Sequence, residues 1–259
     1  MEEQNNYEIN LDDIILRRAR IDDNLEAIAR LIYQTDPYIY PYWFDNDVNK
    51  AIESLVPLIK EPGFLFYYEN FYIAYAKDLK RIVGIVGAID PTTNLEYDYT
   101  NLKAVNERYR FTIENYFEEI ISEVREKQYM YLTNVCIDES YRGHRIGSRL
   151  LHYFIEQMHE AGFDEIGFDC LMHNLRAKNL YHSLGFKEVA EGIGFDGTDH
   201  STVEIVFFKK KSTPFSSEDF QMLPESNVKE VDKKRENYLY DCFKFKESAA
   251  SNSWQIVTN

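Results

Sequence analysis

The chain has 259 residues and a formal net charge of −15, with 29 Lys and Arg against 44 Asp and Glu. That balance argues against a nucleic-acid partner, since phosphate contacts need clustered cations, and it favours cationic ligands instead. Hydrophobic residues make up 44% and aromatics 15%, enough for a real core, yet no apolar run approaches the roughly 18 residues of a membrane helix, so no membrane partner is expected.

Met1 to Asn6 is acidic and polar, without the basic start and apolar stretch of a secretory signal. Ile14 to Ala19 reads as a first strand. Asp22 or Asp23 then caps a helix through Tyr33, with Leu25, Ile28, Ala29 and Ile32 on one face. Asp36 to Phe44 is aromatic and broken by Pro37 and Pro41. Asn46 to Lys60 reads as a second helix, stopped at Pro62 and Gly63. Phe71 to Ala76 and Arg81 to Ala88 are strands joined by the polar turn Lys77 to Lys80, and the second has the apolar character of a strand buried on both faces.

Residues 90 to 128 interrupt this sheet. Tyr109, Ile113, Tyr116 or Phe117, Ile120 and Val124 fall at helical spacing, so a helical insertion is expected between the third and fourth strands. Tyr129 to Ile137 is the fourth strand. Ile146 to Met158 is amphipathic, with Gly162 as its C-terminal cap. Glu165 to Leu171 is the next strand, and Asn174 caps a helix to Ser183. Phe186 to Glu191 and Thr202 to Phe208 form a final pair around Asp196 to Asp199, with Lys209 to Lys211 ending the strand. From Ser212 to Asn237 the chain is polar and aperiodic and reads as linker or disorder. Tyr238 to Phe245 could pack as a short element. The expected organisation is one domain over 1–211 and a polar extension over 212–259. Alternating strands and helices give an α/β class.

Cys136, Cys170 and Cys242 are too few and too scattered for a disulfide framework and point to a reducing, cytoplasmic setting. The six histidines form no Cys/His pair at ligand spacing, so no metal is expected.

Two stretches carry chemistry. Arg142-Gly143-His144-Arg145-Ile146-Gly147 lies between a strand and a helix. A helix start has N–H groups without intrahelical partners and partial positive charge from the dipole. An anion such as phosphate is held there mainly by backbone, and glycines let that backbone approach. Alone, such a turn is common. Some thirty residues on come Asn174, Ala177, Tyr181 and then Gly185-Phe186.

Together the two stretches resemble the GNAT superfamily of N-acetyltransferases, over residues 129 to 190. That family's first motif is Gln or Arg, two variable residues, Gly, one variable residue, then Gly or Ala. Arg142, His144, Ile146 and Gly147 fit it, while Arg145 stands where the middle glycine is usual. The second motif is a helix begun by Asn, with Tyr seven residues on, closed by Gly-Phe. The resemblance implies a mixed, mostly antiparallel central sheet with flanking helices and a V-shaped opening between its two central strands. The family usually joins the third and fourth strands by a short hairpin, which makes residues 90 to 128 an insertion.

The resemblance also implies transfer of an acetyl group from acetyl-CoA, as co-substrate, to a primary amine, small and cationic or at a peptide. The backbone of Val135, Cys136 and Ile137 would line the pantetheine arm, with the Val135 N–H polarising the acetyl carbonyl. Arg142, Gly143, His144, Arg145, Ile146, Gly147 and Ser148 would hold the pyrophosphate. Tyr181 would be the general acid, its phenol having a reference pKa of about 10. The alternative for Tyr181 is a packing role. Asn174 would cap its helix and could also touch the cofactor. One branch of the family carries a glutamate base where this chain has Tyr131; Asn134, Asp169 or a water chain are the other bases the sequence allows. Cys136 reads as a small hydrophobe rather than an acyl carrier.

For the acceptor, Tyr40 and Trp43, flanked by Tyr38, Tyr42, Phe44 and acidic Asp36, Asp45 and Asp47, could bind a cation through ring faces. The same aromatics could instead fill a core or a homodimer contact. The competing functions are a non-catalytic acyl-CoA-binding or sensor module and, more weakly, a thioesterase or O-acyltransferase.

Overall fold

The computed structural model describes residues 10–90, 129–195 and 202–212. The expected helix over 90–128, the turn at 196–199 and the extension beyond Ser212 lie outside these residues. Ser212 itself is buried, and its N–H donates to Asp164 O at 3.0 Å.

Among the described residues seven strands form one sheet. They are β1 (Ile14–Arg18), β2 (Phe71–Ala76), β3 (Arg81–Ile89), β4 (Met130–Ile137), β5 (Glu165–Leu171), β6 (Lys187–Phe195) and β7 (Thr202–Lys211). Their spatial order is β1-β2-β3-β4-β5-β7-β6. All neighbours are antiparallel except β4 and β5. Those two are paired only at Met130↔Ile166 and Tyr131↔Gly167, and beyond Tyr131 they part. The mixed, mostly antiparallel sheet with a central opening is therefore as expected.

Helices α1 (Leu25–Tyr33), α2 (Ile39–Trp43) and α3 (Val48–Ile59) share a core with Phe71, Ile73 and Ile85, on one face of the sheet. Strand alternation sends Tyr72 to the other face, where it meets Phe154 of α4 (Ile146–Glu160) at 5.3 Å between ring centroids. Helix α5 (Leu175–Ser183) lies on that face too, Tyr181 packing on Phe168.

Helix ends follow local rules, with one correction. Asn24, rather than Asp22 or Asp23, caps α1, its Oδ1 accepting from Ala27 N at 3.1 Å. Asp23 is occupied by Arg17, whose two guanidinium nitrogens lie 2.8 and 2.5 Å away, and by Arg20 N at 2.7 Å. Burial pushes the Asp23 carboxyl up, but these hydrogen bonds outweigh it and hold the group below its ordinary value. Helix α3 starts at Val48, two residues later than expected, because Asp47 caps it through Asn49 N and Lys50 N.

Helices α4 and α5 end alike. Gly162 and Gly185 have φ of 88° and 81°. Gly162 N reaches His159 O and Phe163 N reaches Met158 O; Gly185 N reaches His182 O and Phe186 N reaches Tyr181 O. This is the paired closure a left-handed glycine permits, with an apolar contact across it. In α5 that contact is Phe186 against Tyr181, ring centroids 6.1 Å apart. Gly185-Phe186 thus fixes the turn that carries Tyr181.

Candidate active site

Strand β4 is irregular where the opening begins. Gly87 pairs with Asn134 and Ala88 with Leu132, so Thr133 is an extra, bulged residue. Gly87 makes room for it: a Cβ there would sit 2.5 Å from the Phe71 ring and 2.9 Å from Thr133 Oγ1. The bulge changes the parity of the strand. Tyr131 and Asn134, three apart, both face α1, where Asn134 Nδ2 donates to Thr35 Oγ1 and Tyr40 Oη at 2.9 Å each.

Past the bulge the backbone can be followed by register. Asp138 N donates to Val83 O at 2.9 Å. In an antiparallel ladder the same orientation returns every second residue, so Cys136 also faces β3. The N–H and C=O groups of Val135 and Ile137 therefore point away from β3, into the opening where the β5 ladder has ended. Arg142 Nε donates to Ile137 O at 2.9 Å on that side.

Helix α4 begins just beyond. Arg145, at its N-terminal boundary, has φ 60° and ψ 11°. A non-glycine residue in this left-handed region costs roughly 1–2 kcal/mol; it occupies the motif position where glycine is usual. Side chains cap α1, α3 and α5, but among the described residues none caps α4. The first amides of α4, at Ile146, Gly147 and Ser148, thus keep the anion-binding character of a helix start.

These parts meet in one cleft of about 550 Å³. Of the residues the sequence nominated for the cofactor, Val135, Cys136, Ile137, Arg142, Gly143, Arg145, Ile146, Gly147, Ser148, Asn174 and Tyr181 line it. His144 does not; its ring turns back to Arg142 O at 3.0 Å. Asn174 Oδ1 accepts from Ala177 N, so its carbonyl serves as the cap. Gln34, Thr35, Pro37, Tyr141, Arg176, Ala177 and Leu180 complete the wall. Ala177 stands four residues before Tyr181 and Leu180 three after Ala177, both at helical spacing, and Arg176 is a cation in the first turn of the same helix. Gln34, Thr35 and Pro37 carry no such signal. Arg142, Arg145 and Arg176 gather three cations in a strongly acidic chain.

Tyr181 is buried against Phe168, Phe186 and Phe208. Burial, then the negative charges of Cys170 and Asp169 when ionised, push its pKa up, so the phenol holds its proton. Burial likewise pushes the Cys136 thiol up to about 11, so it is no thiolate at neutral pH.

The aromatic stretch is arranged otherwise. Despite Pro41 it forms the short helix α2, and Tyr40 and Trp43 are 5% and 2% exposed within the core. They pack edge to face at 5.2 Å. Magnitudes explain the choice. Burying such a ring removes about 150–250 Å² from water, on the order of 4–6 kcal/mol, against about 0.5–2 kcal/mol for a cation on its face. The core role the sequence left open is the one these two residues take. Tyr38 is half-buried and meets His173, Oη to Nε2 at 3.4 Å, from the other side of the opening. Asp36 is turned inward, accepting from Tyr38 N at 2.7 Å and Ile39 N at 2.8 Å, and burial pushes its carboxyl up despite those bonds.

A family model described as "Acetyltransferase (GNAT) family" matches residues 32–186. N-alpha-acetyltransferase 30 of Dictyostelium discoideum is 34% identical over 59 residues, 23% of this chain and 32% of that protein. The chain thus spans about a third of the length of this curated relative. An agmatine N-acetyltransferase mutant, solved in its apo form, superposes with a TM-score of 0.52 at 16% identity, covering 77% of this chain and 100% of the other. A structure described as an acetyltransferase gives 0.50 at 21% identity, with 77% and 100% covered. At these identities the two structures establish likeness of fold.

Proposed function

The chain belongs to the GNAT acetyltransferase family, and from that premise we propose that it moves an acetyl group from acetyl-CoA to the α-amine of a peptide. The carrying observation is one cleft that joins the β4 edge beyond the end of its β5 ladder, a helix start without a side-chain cap among the described residues, and a buried tyrosine. The outward N–H and C=O groups of Val135 and Ile137, with Cys136 between them, would hold the pantetheine arm. The Val135 N–H would polarise the acetyl carbonyl. The amides of Ile146, Gly147 and Ser148 would hold the pyrophosphate, with Arg142 and Arg145 adding charge and Gly143 letting the loop approach. Arg176 offers a third cation. Tyr181 keeps its proton available for the departing sulfur. The thioester supplies the activated acetyl group.

The 34% identity with an N-alpha-acetyltransferase supports a peptide amine over a small one. The net charge of −15 favours a cationic terminus by steering. A non-catalytic acyl-CoA-binding module would have no use for a proton donor at Tyr181.

The test follows free thiol in mixtures of protein, acetyl-CoA and peptides whose N-termini are free or blocked. Release that requires a free α-amine is expected. It should vanish in Gly147→Glu, where a Cβ would meet Ile137 at 3.3 Å and Leu180 at 3.7 Å and the carboxylate would enter the cleft. Acetyl-CoA binding without release would favour the binding module, and release without amine would indicate hydrolysis.

A further inference from the structure

We infer that Arg176 binds the ribose 3′-phosphate of the cofactor, so that this protein distinguishes CoA from its dephosphorylated form. The inference rests on the acetyl-CoA part of the reading above and deepens it.

Three arginines line the cleft, and they stand differently. Arg142 is tied to β4, its Nε donating to Ile137 O at 2.9 Å. Arg145 belongs to the same loop, at the boundary of α4. Both lie where the first amides of α4 would hold a diphosphate. Arg176 comes from the other wall, as the second residue of α5. It is exposed, and among the described residues it has no carboxylate or carbonyl partner. In a chain of net charge −15, a cation so placed on a cleft wall is free to meet a ligand.

The helix itself gains nothing from this charge. The first turn of a helix carries partial positive charge, so a cation there opposes the dipole. No acidic residue in the first turn of α5 offsets it. The cap comes from Asn174, whose Oδ1 accepts from Ala177 N at 3.1 Å. A bound anion reverses the sign, because dipole and guanidinium then attract it together.

Position along α5 selects the anion. Leu180 lies at the level of the α4 start, where a Cβ on Gly147 would meet it at 3.7 Å. Arg176 is four residues earlier on the same stripe, about 6 Å along the axis. Tyr181 lies past Leu180, on the side away from Arg176. The order along the helix is therefore Arg176, the level of the α4 amides, then the proton donor. Acetyl-CoA carries its groups in the matching order of ribose phosphate, diphosphate and thioester. The chemistry matches too. A phosphate monoester is close to dianionic at neutral pH and presents three free oxygens, which the planar guanidinium fork engages two at a time.

The test titrates the full chain with acetyl-CoA and with acetyl-dephospho-CoA by calorimetry, and records Tm. The wild-type protein should hold acetyl-CoA about 10-fold more tightly, the lower end of what hydrogen bonds to charged groups contribute. Arg176→Ala should weaken acetyl-CoA by the same factor and leave acetyl-dephospho-CoA unchanged, with Tm retained. Arg176→Lys should keep part of the preference, since it restores the charge without the fork. Equal affinity of the wild-type protein for the two cofactors would overturn the inference. So would an equal loss for both in Arg176→Ala, which would assign Arg176 to the diphosphate instead. If Arg176→Ala does not fold, Arg176→Lys decides, and an undiminished preference there would sink the idea. A wild-type protein that binds neither cofactor would overturn the acetyl-CoA reading and this inference with it. One that shows the preference but acetylates no amine would overturn the transfer reading alone and leave this inference standing.

Discussion

The wall built from residues 135–148 and 174–181 consists of backbone edges and local turns, whereas behind the wall at Thr35 lie Asp36, Tyr131, Asn134 and Asp169, side chains that meet only in the folded protein. On the first wall each feature has a short-range cause. Gly143 and Arg145 turn the chain into α4, and Asn174 and Gly185 bracket α5. On the second wall Asn134 joins Thr35 and Tyr40, with |i−j| of 99 and 94. The difference teaches that a backbone-built site tolerates side-chain variation, while a site built from distant side chains is inseparable from the core beneath it.

The largest expected effect probes the first wall. Tyr181→Phe removes only a hydroxyl, and a general acid contributes about 10²–10⁴-fold in rate. Steady-state kinetics should show a fall of that size in kcat with acetyl-CoA affinity retained. Equal turnover would make Tyr181 a packing residue, as its ring contacts with Phe168 and Phe208 also allow.

Next comes Trp43→Ala, in the core beneath the second wall. Trp43 is fully enclosed, so its truncation should cost about 3–5 kcal/mol of stability. Denaturant unfolding should show the loss, and residual activity should fall for both substrates together. A stable variant with a selective defect for the amine would return Trp43 to the acceptor surface.

The smallest effect should come from Arg145→Gly. Glycine adopts the left-handed backbone without penalty, so the variant should gain about 1 kcal/mol in stability. Calorimetry should show a slightly weaker hold on acetyl-CoA, since one of three cleft arginines is gone. Loss of stability would mean that the Arg145 side chain matters more than its backbone.

Sequence alone determined what depends on neighbours along the chain: the strands, the closures at Gly162 and Gly185, the cap at Asn174, and the loop from Arg142 to Ser148. Each rests on an interaction within a few residues, so its pattern is visible without the fold. The aromatic stretch shows the limit of that reading, because cation-binding rings and core rings have the same composition, and only the tertiary structure shows Tyr40 and Trp43 buried. The bulge at Thr133 shows it again. Counting by twos along an unbroken strand would put Tyr131 and Asn134 on opposite faces, and the extra residue, set by pairing with β3, brings them together. Gln34, Thr35 and Pro37 reach the cleft only because α1 packs over β4. The meeting of Tyr131 with Asp169 was likewise a tertiary decision. It depends on where the β4–β5 ladder stops, and that is set by the packing of both faces of the sheet.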